Sequence, residues 1–184
     1  MSNEELLKMY EAIKADPGEL VRAAARKRLI NFARYMQPDL VLEPFHVVYY
    51  TLLDMFAHGK IRKMIVQQPP QHGKSEGSSR KLPAFMLGLN PDRKICIGSY
   101  AATIARDFNR DVQRIIDTPR YRELFPGTYL NGSNVVTMSN TYLRNSDVIE
   151  MVGRKGSLRV VGRGGSLTSK TVDVSILDDV YKDY

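Results

Sequence analysis

An apolar run rich in β-branched residues, Ile61–Val66, enters a proline-stiffened turn, Gln68-Pro69-Pro70-Gln71-His72-Gly73-Lys74-Ser75, and a helical pattern resumes beyond it. A short apolar run bounded by turn residues reads as a buried strand. A strand, a tight loop and a helix in succession bury their apolar faces by packing the helix against a sheet. The later sequence repeats the alternation. KICIGS (94–99) reads as a second buried strand after the turn Asn90-Pro91-Asp92, and a helix is predicted over 101–116. Strand-like runs follow at 147–152 and 158–161, joined by Arg154-Lys155-Gly156. A glycine cluster, 162–166, then precedes a last strand over 172–177. The pattern predicts an α/β domain built on a mainly parallel sheet.

Upstream, residues 4–15 and 19–36 read as helices separated by the breaker Asp16-Pro17-Gly18, and a third covers 45–58 with Gly59 as its C-terminal stop. The helix leaving the proline turn is expected to run from Lys74 or Ser75 to about Met86, kinked or ended early by Pro83. Residues 118–145 form a turn-rich excursion. The division that follows is an N-terminal helical extension, 1–40, and an α/β domain, 41–184.

At 184 residues the chain has room for one full domain. No apolar run approaches the roughly 20 residues needed to span a bilayer, and the polar, acidic start MSNEELLKMYEAIK is not a signal peptide. A single cysteine, Cys96, excludes an internal disulfide and fits a reducing compartment, with cytosol as the default. The net charge of +7 suits a polyanionic partner as well as a solvated basic face. Arg22, Arg26, Lys27, Arg28 and Arg34 are the helical residues open to either use. His46, His58, His72 and Cys96 show no metal-ligand spacing, so no zinc site is expected.

Gly73-Lys74-Ser75 matches the second half of the phosphate-loop pattern G-x-x-x-x-G-K-[ST], with Gln68 at the place of its first glycine. Glycine lets the backbone approach an anion, and N–H groups at a helix start bind it. Lys74 would reach the β- and γ-phosphates of a nucleotide, and the Ser75 hydroxyl would ligate Mg²⁺. The run VDVSILDD (172–179) delivers a carboxylate pair at the end of a buried strand. Asp178 would hold Mg²⁺ through water, and Asp179 would orient or deprotonate an attacking water. A helix N-cap is the plainer reading of such a pair. His72 lies inside the loop, where it either contacts phosphate or shapes the turn.

Together these residues resemble the large terminase subunit of tailed bacteriophages, the ATP-driven DNA-packaging motor. The resemblance covers about residues 40–184: Phe45-His46, PPQHGKS, ICIGSYAATIARDF (95–108), YRELFP (121–126), VGRGGSLTSK (161–170) and VDVSILDDVYKD (172–183). It implies a RecA-like, ASCE-type P-loop NTPase with a further strand between the loop strand and the Asp-Asp strand. It also implies ATP and Mg²⁺ as ligands, nucleotide contacts from Gln68, Pro69, Pro70, Gln71, His72, Gly73, Lys74, Ser75 and His46, and metal contacts from Ser75 and Asp178. Asp179 takes the place of the usual catalytic glutamate, and Lys74 is catalytic as well as phosphate-binding. Gln71 stands where relatives often carry arginine, and Ser169 where they tend to carry glycine. An arginine finger is expected in such motors; Arg163 is the first candidate and Lys170 the second. The implied partners are double-stranded DNA, the portal protein, the small terminase subunit and further copies of the chain in a ring, with no membrane partner. The implied location is the cytoplasm of a bacterial host and, transiently, the procapsid. Relatives continue into a nuclease domain whose clustered acids this sequence lacks, so no nuclease activity is expected, and the chain reads as an N-terminal portion with weak or absent turnover. Two alternatives stay open: a helicase-like RecA-class ATPase, suggested by Ser99-Tyr100 at a strand-to-helix junction, and an inert docking fragment.

Overall fold

The structure is a computed structural model, which describes residues 2–136, 141–165 and 171–181. Three helices open the chain: α1 (Asn3–Ala15), α2 (Gly18–Lys27) and α3 (Leu29–Met36). Asp16-Pro17-Gly18 breaks the first from the second, as its turn chemistry predicts. The helix expected over 19–36 is interrupted at Arg28, whose backbone is extended (φ −133°, ψ 128°). Asp54 explains the break: its buried carboxylate accepts the Leu29 N–H at 2.8 Å and pairs with the Arg28 guanidinium at 3.2 Å. A tertiary partner thus replaces an intrahelical one.

Helix α4 (Pro44–Ala57) starts with proline in its first turn and a reciprocal capping box between Glu43 and His46. It ends before Gly59, which takes the left-handed conformation (φ +73°) that favours glycine. After the proline turn the chain winds into a π-helical turn, Glu76–Lys81, and then α5 (Leu82–Leu89). Pro83 has no N–H to give the Ser79 carbonyl, and the widened turn lets Leu82 N–H reach back to the Gly77 carbonyl. The helix therefore continues through the proline to Leu89, past the end expected near Met86. Strand β1 (Lys94–Ser99), helix α6 (Ala102–Asp117), a short helix α7 (Pro119–Leu124) capped by the Thr118 side chain, and strands β2 (Val148–Glu150), β3 (Ser157–Gly162) and β4 (Val174–Leu177) complete the elements.

The sheet has the order β2-β3-β1-β4. β1 pairs in parallel with β3 on one side and β4 on the other, while β2 is an antiparallel edge. The expected strand over Ile61–Val66 does not form. Met64 and Val66 pack against the core, yet Ile65 is 92% exposed, and among the described residues no N–H of residues 62–68 donates to another backbone carbonyl. The run is irregular backbone without a ladder. It faces β4 across a groove of about 970 Å³ lined by both segments.

Alternation along the strands divides the sheet into two faces. Ile95, Ile97, Ile149, Leu158, Val160 and Ile176 join the helices in one hydrophobic core, whereas Lys94, Ser157, Arg159, Ser175 and Leu177 lie on the other face. Helices α2 and α3 belong to that same core. Phe32, fully buried, packs on Phe85 (5.3 Å between ring centroids), Tyr121 (6.1 Å) and Phe125 (6.1 Å). No helix among the described residues is long and apolar enough to cross a membrane.

Candidate nucleotide site

The proline turn sits at the C-terminal ends of the parallel strands, where side chains converge at a switch between elements. Two of its residues have left-handed backbone, Gln71 (φ +63°) and Gly73 (φ +76°). The turn is supported from below. His46 Nδ1 accepts the Glu43 N–H at 3.0 Å, so the ring proton lies on Nε2, which donates to the His72 carbonyl at 3.2 Å. Phe45 stacks on His46 with centroids 3.9 Å apart. A Cβ on Gly73 would meet His46 Nε2 at 3.3 Å, so the ring fills the space under the glycine. His72 Nδ1 donates to the Pro70 carbonyl at 2.7 Å, which closes the turn on itself. The histidines thus shape the loop.

On the far side, Tyr49 of α4 donates its hydroxyl to the Lys74 carbonyl at 2.5 Å. Burial pushes that hydroxyl up to about 12, so it stays a donor at any ordinary pH. Gly77 makes the contact possible, because a Cβ there would lie 2.6 Å from the Tyr49 ring.

Lys74 reaches across 105 residues of sequence to the acid pair. Its Nζ lies 2.7 Å from Asp179 Oδ1 and 3.8 Å from Asp178 Oδ1. The hydrogen bond to Asp179, with the charge of both carboxylates, raises the lysine above its ordinary range against the opposing effect of burial. Asp178 is 4% exposed and accepts the Ser79 hydroxyl at 2.6 Å, while its own N–H donates to the Gly98 carbonyl. Asp179 is largely exposed and held in left-handed backbone (φ +46°), with its carbonyl accepting the Tyr100 N–H at 3.0 Å. The two acids therefore differ in environment: one anchored and buried, the other free at the surface beside the lysine.

A cavity of about 680 Å³ is bounded by Gln68, Pro69, Pro70, Gln71, Gly73, Lys74 and Ser75 on the loop side, and by Arg80, Tyr100, Asp179 and Tyr181 opposite. The Gln68 side-chain oxygen is buried with no protein partner, an acceptor that a ligand or a water must satisfy. Among the described residues no three His, Cys, Asp or Glu side chains form a metal cage. Mg²⁺ on a nucleotide needs none, since phosphates and waters supply most of its oxygen ligands beside one or two protein groups. Ser75 and Asp178 fit that donor chemistry. Arg163 stacks over Tyr181 at 5.9 Å, which brings it beside the cavity without lining it. Lys170 and Ser169 lie outside the described residues.

Ser79, Tyr49 and Arg80 carry no recognisable motif. Ser79 points at Asp178 because the π-helical turn shifts its azimuth. Arg80 turns toward the cavity and is fixed by Asp111 (2.7 Å) and the Phe108 ring (5.0 Å). Comparison with protein-family models, curated proteins and solved structures finds no match to this chain.

Proposed function

We propose that this chain is the ATP-binding and hydrolysing motor domain of a phage large terminase, acting on double-stranded DNA at a procapsid. The observation that carries the reading is the meeting of Lys74 with Asp178 and Asp179, beside the loop cavity that Lys74 and Asp179 line. A lysine after glycine at a helix start and a buried carboxylate at a strand end are the two halves of a phosphate-transfer site. The RecA-like P-loop assignment belongs to the same proposal, supported by parallel strands whose C-terminal ends carry the acids.

In this reading, loop N–H groups and Lys74 hold the β- and γ-phosphates, and Lys74 exchanges Asp179 for phosphate oxygens as nucleotide enters. Asp179, released, accepts a proton from water as the water oxygen bonds to the γ-phosphorus. The bond from that phosphorus to the bridging oxygen breaks, and ADP leaves with the electron pair. Mg²⁺, held by Ser75 and Asp178, would neutralise charge on the phosphates. Arg163, which stacks on Tyr181, would answer the same charge. The portal protein, the small terminase subunit and other copies of the chain in a ring are the partners of this reading, in the cytoplasm of a bacterial host.

Nucleotide binding and phosphate release, measured on wild type, Lys74→Ala and Asp179→Asn, test the proposal. Wild type should release phosphate, Lys74→Ala should lose about 100-fold or more, and Asp179→Asn should bind ATP yet turn over at background. Equal nucleotide binding by wild type and Lys74→Ala, with no phosphate release from either, would sink the reading.

A further inference from the structure

A second cavity, of about 400 Å³, opens at the other pole of the sheet. Lys94 and Ser157 begin the parallel strands β1 and β3 in register, and Glu150 on β2 pairs with Ser157, so the three form one row across the sheet. Arg159 lies two residues along β3 on the same face, the face turned away from the hydrophobic core. Arg154 and Lys155 reach in from the turn joining β2 to β3. This is the N-terminal end of the parallel strands, whereas Asp178 follows the C-terminal end of β4.

Four cations and one carboxylate line this cavity. Arg159 spends its charge on Glu150 at 4.0 Å. Among the described residues, no hydrogen bond or ion pair engages the side chains of Lys94, Arg154 or Lys155. Asp92 and Asp173 border the site, but each turns its carboxylate to a backbone N–H, of Lys155 and of Lys94, at 2.8 Å. Of the basic residues singled out in the first helices, Arg22, Arg26 and Arg28 have carboxylate partners, whereas Lys27 and Arg34 have none among the described residues. Three like charges sharing one polar cavity repel one another and call for an anion. Arg154 and Lys155 are exposed on a turn, so the cations form an open array suited to successive charges along a chain more than a closed cradle for one small ion.

We propose that this array is a second anion site, independent of the nucleotide reading, that takes phosphate groups of a nucleic-acid backbone. Free phosphate is the other source of the same chemistry, and the experiment separates the two. A fluorescent duplex oligonucleotide is titrated with wild type, the triple variant Lys94→Ala/Arg154→Ala/Lys155→Ala, the single variant Lys155→Glu and Lys74→Ala, at several salt concentrations. Each phosphate contact contributes about 0.9 to the slope of log affinity against log salt, so the triple variant should lose about 2 to 3 from that slope and bind at least about tenfold more weakly. Lys155→Glu, a change on an exposed turn, should weaken binding without altering the circular dichroism spectrum. Lys74→Ala should bind the duplex as wild type does, so that loss of the nucleotide reading leaves this one standing. Unchanged affinity and slope in the triple variant or in Lys155→Glu would overturn the proposal. So would displacement of a weakly held duplex by inorganic phosphate at matched ionic strength, which would assign the site to the small anion.

Discussion

At the residue scale, the site depends on a serine without a motif. The Ser79 hydroxyl is the hydrogen-bond donor to the Asp178 oxygen that Lys74 does not approach, and both residues are buried. A hydrogen bond to a buried charged group contributes about 1.5 to 3 kcal/mol. Ser79→Ala should therefore destabilise the fold by about 2 kcal/mol in urea unfolding, with an undiminished m-value. A change below about 0.5 kcal/mol would mean that Asp178 is held by other means. Lys74, Asp178 and Asp179 could be picked out of the sequence because each carries chemistry that few positions require. Ser79, Tyr49 and Arg80 could not, because their roles depend on the azimuth set by the π-helical turn and on α4 lying against it. His46 shows the same limit. Its place near the loop was legible, but its hydrogen bond to the His72 carbonyl was not.

At the element scale, Ile61–Val66, which carries Arg62 and Lys63 among its apolar residues, and β1 both contain β-branched residues and have different fates. β1 has parallel neighbours on both sides; the earlier run has irregular backbone and no ladder, and it looks across a groove at the edge of β4. Pattern specifies how a segment buries its side chains, whereas a strand also needs a partner's carbonyls and N–H groups in register. Amide hydrogen exchange separates the two cases. Residues 62–66 should exchange at rates close to those of an unstructured chain, and Ile95–Gly98 should be protected to near the global stability. Comparable protection of both segments would contradict the unpaired edge. The break at Arg28 follows the same logic, since Asp54 draws the Leu29 N–H away from the helix.

At the scale of the whole molecule, three buried tyrosines tie the helices to the core and to the loop. Burial raises the hydroxyls of Tyr50 and Tyr121 well above the ordinary range, and Tyr49 to about 12. Tyr121 donates to the Ala84 carbonyl at 2.9 Å, joining α7 to α5. Above about pH 10 the unfolded chain releases these protons while the folded chain keeps them, so stability falls as pH rises. Lys74, also raised, adds to the loss in the same direction once pH passes its unfolded value. With all three unfolded tyrosines ionised, the slope should approach 4 kcal/mol per pH unit, at about 1.4 for each group. Urea midpoints measured from about pH 8 to 11 check this, read beside tyrosinate absorbance. Tyrosine ionisation near pH 10 without unfolding would show that the rings are not sealed in the core. Helices α2 and α3 share this core through Ala25, Phe32 and Ala33, so the sequence division near residue 40 does not mark a break in packing.

Amino-acid sequence alone determined the helix stops at Asp16-Pro17-Gly18 and Gly59, the α/β class, the turn chemistry of the loop and the identity of its lysine and acid pair. Each of those follows from local conformational preference or from a side chain's own chemistry. Tertiary structure decided which apolar run became a strand, where α2 gave way to α3, that Lys74 rests on Asp179, and which cations were left without partners. Those outcomes depend on which groups meet across long stretches of chain, as the 105 residues between Lys74 and Asp179 illustrate, and hydrogen bonds and charges are satisfied by neighbours in space.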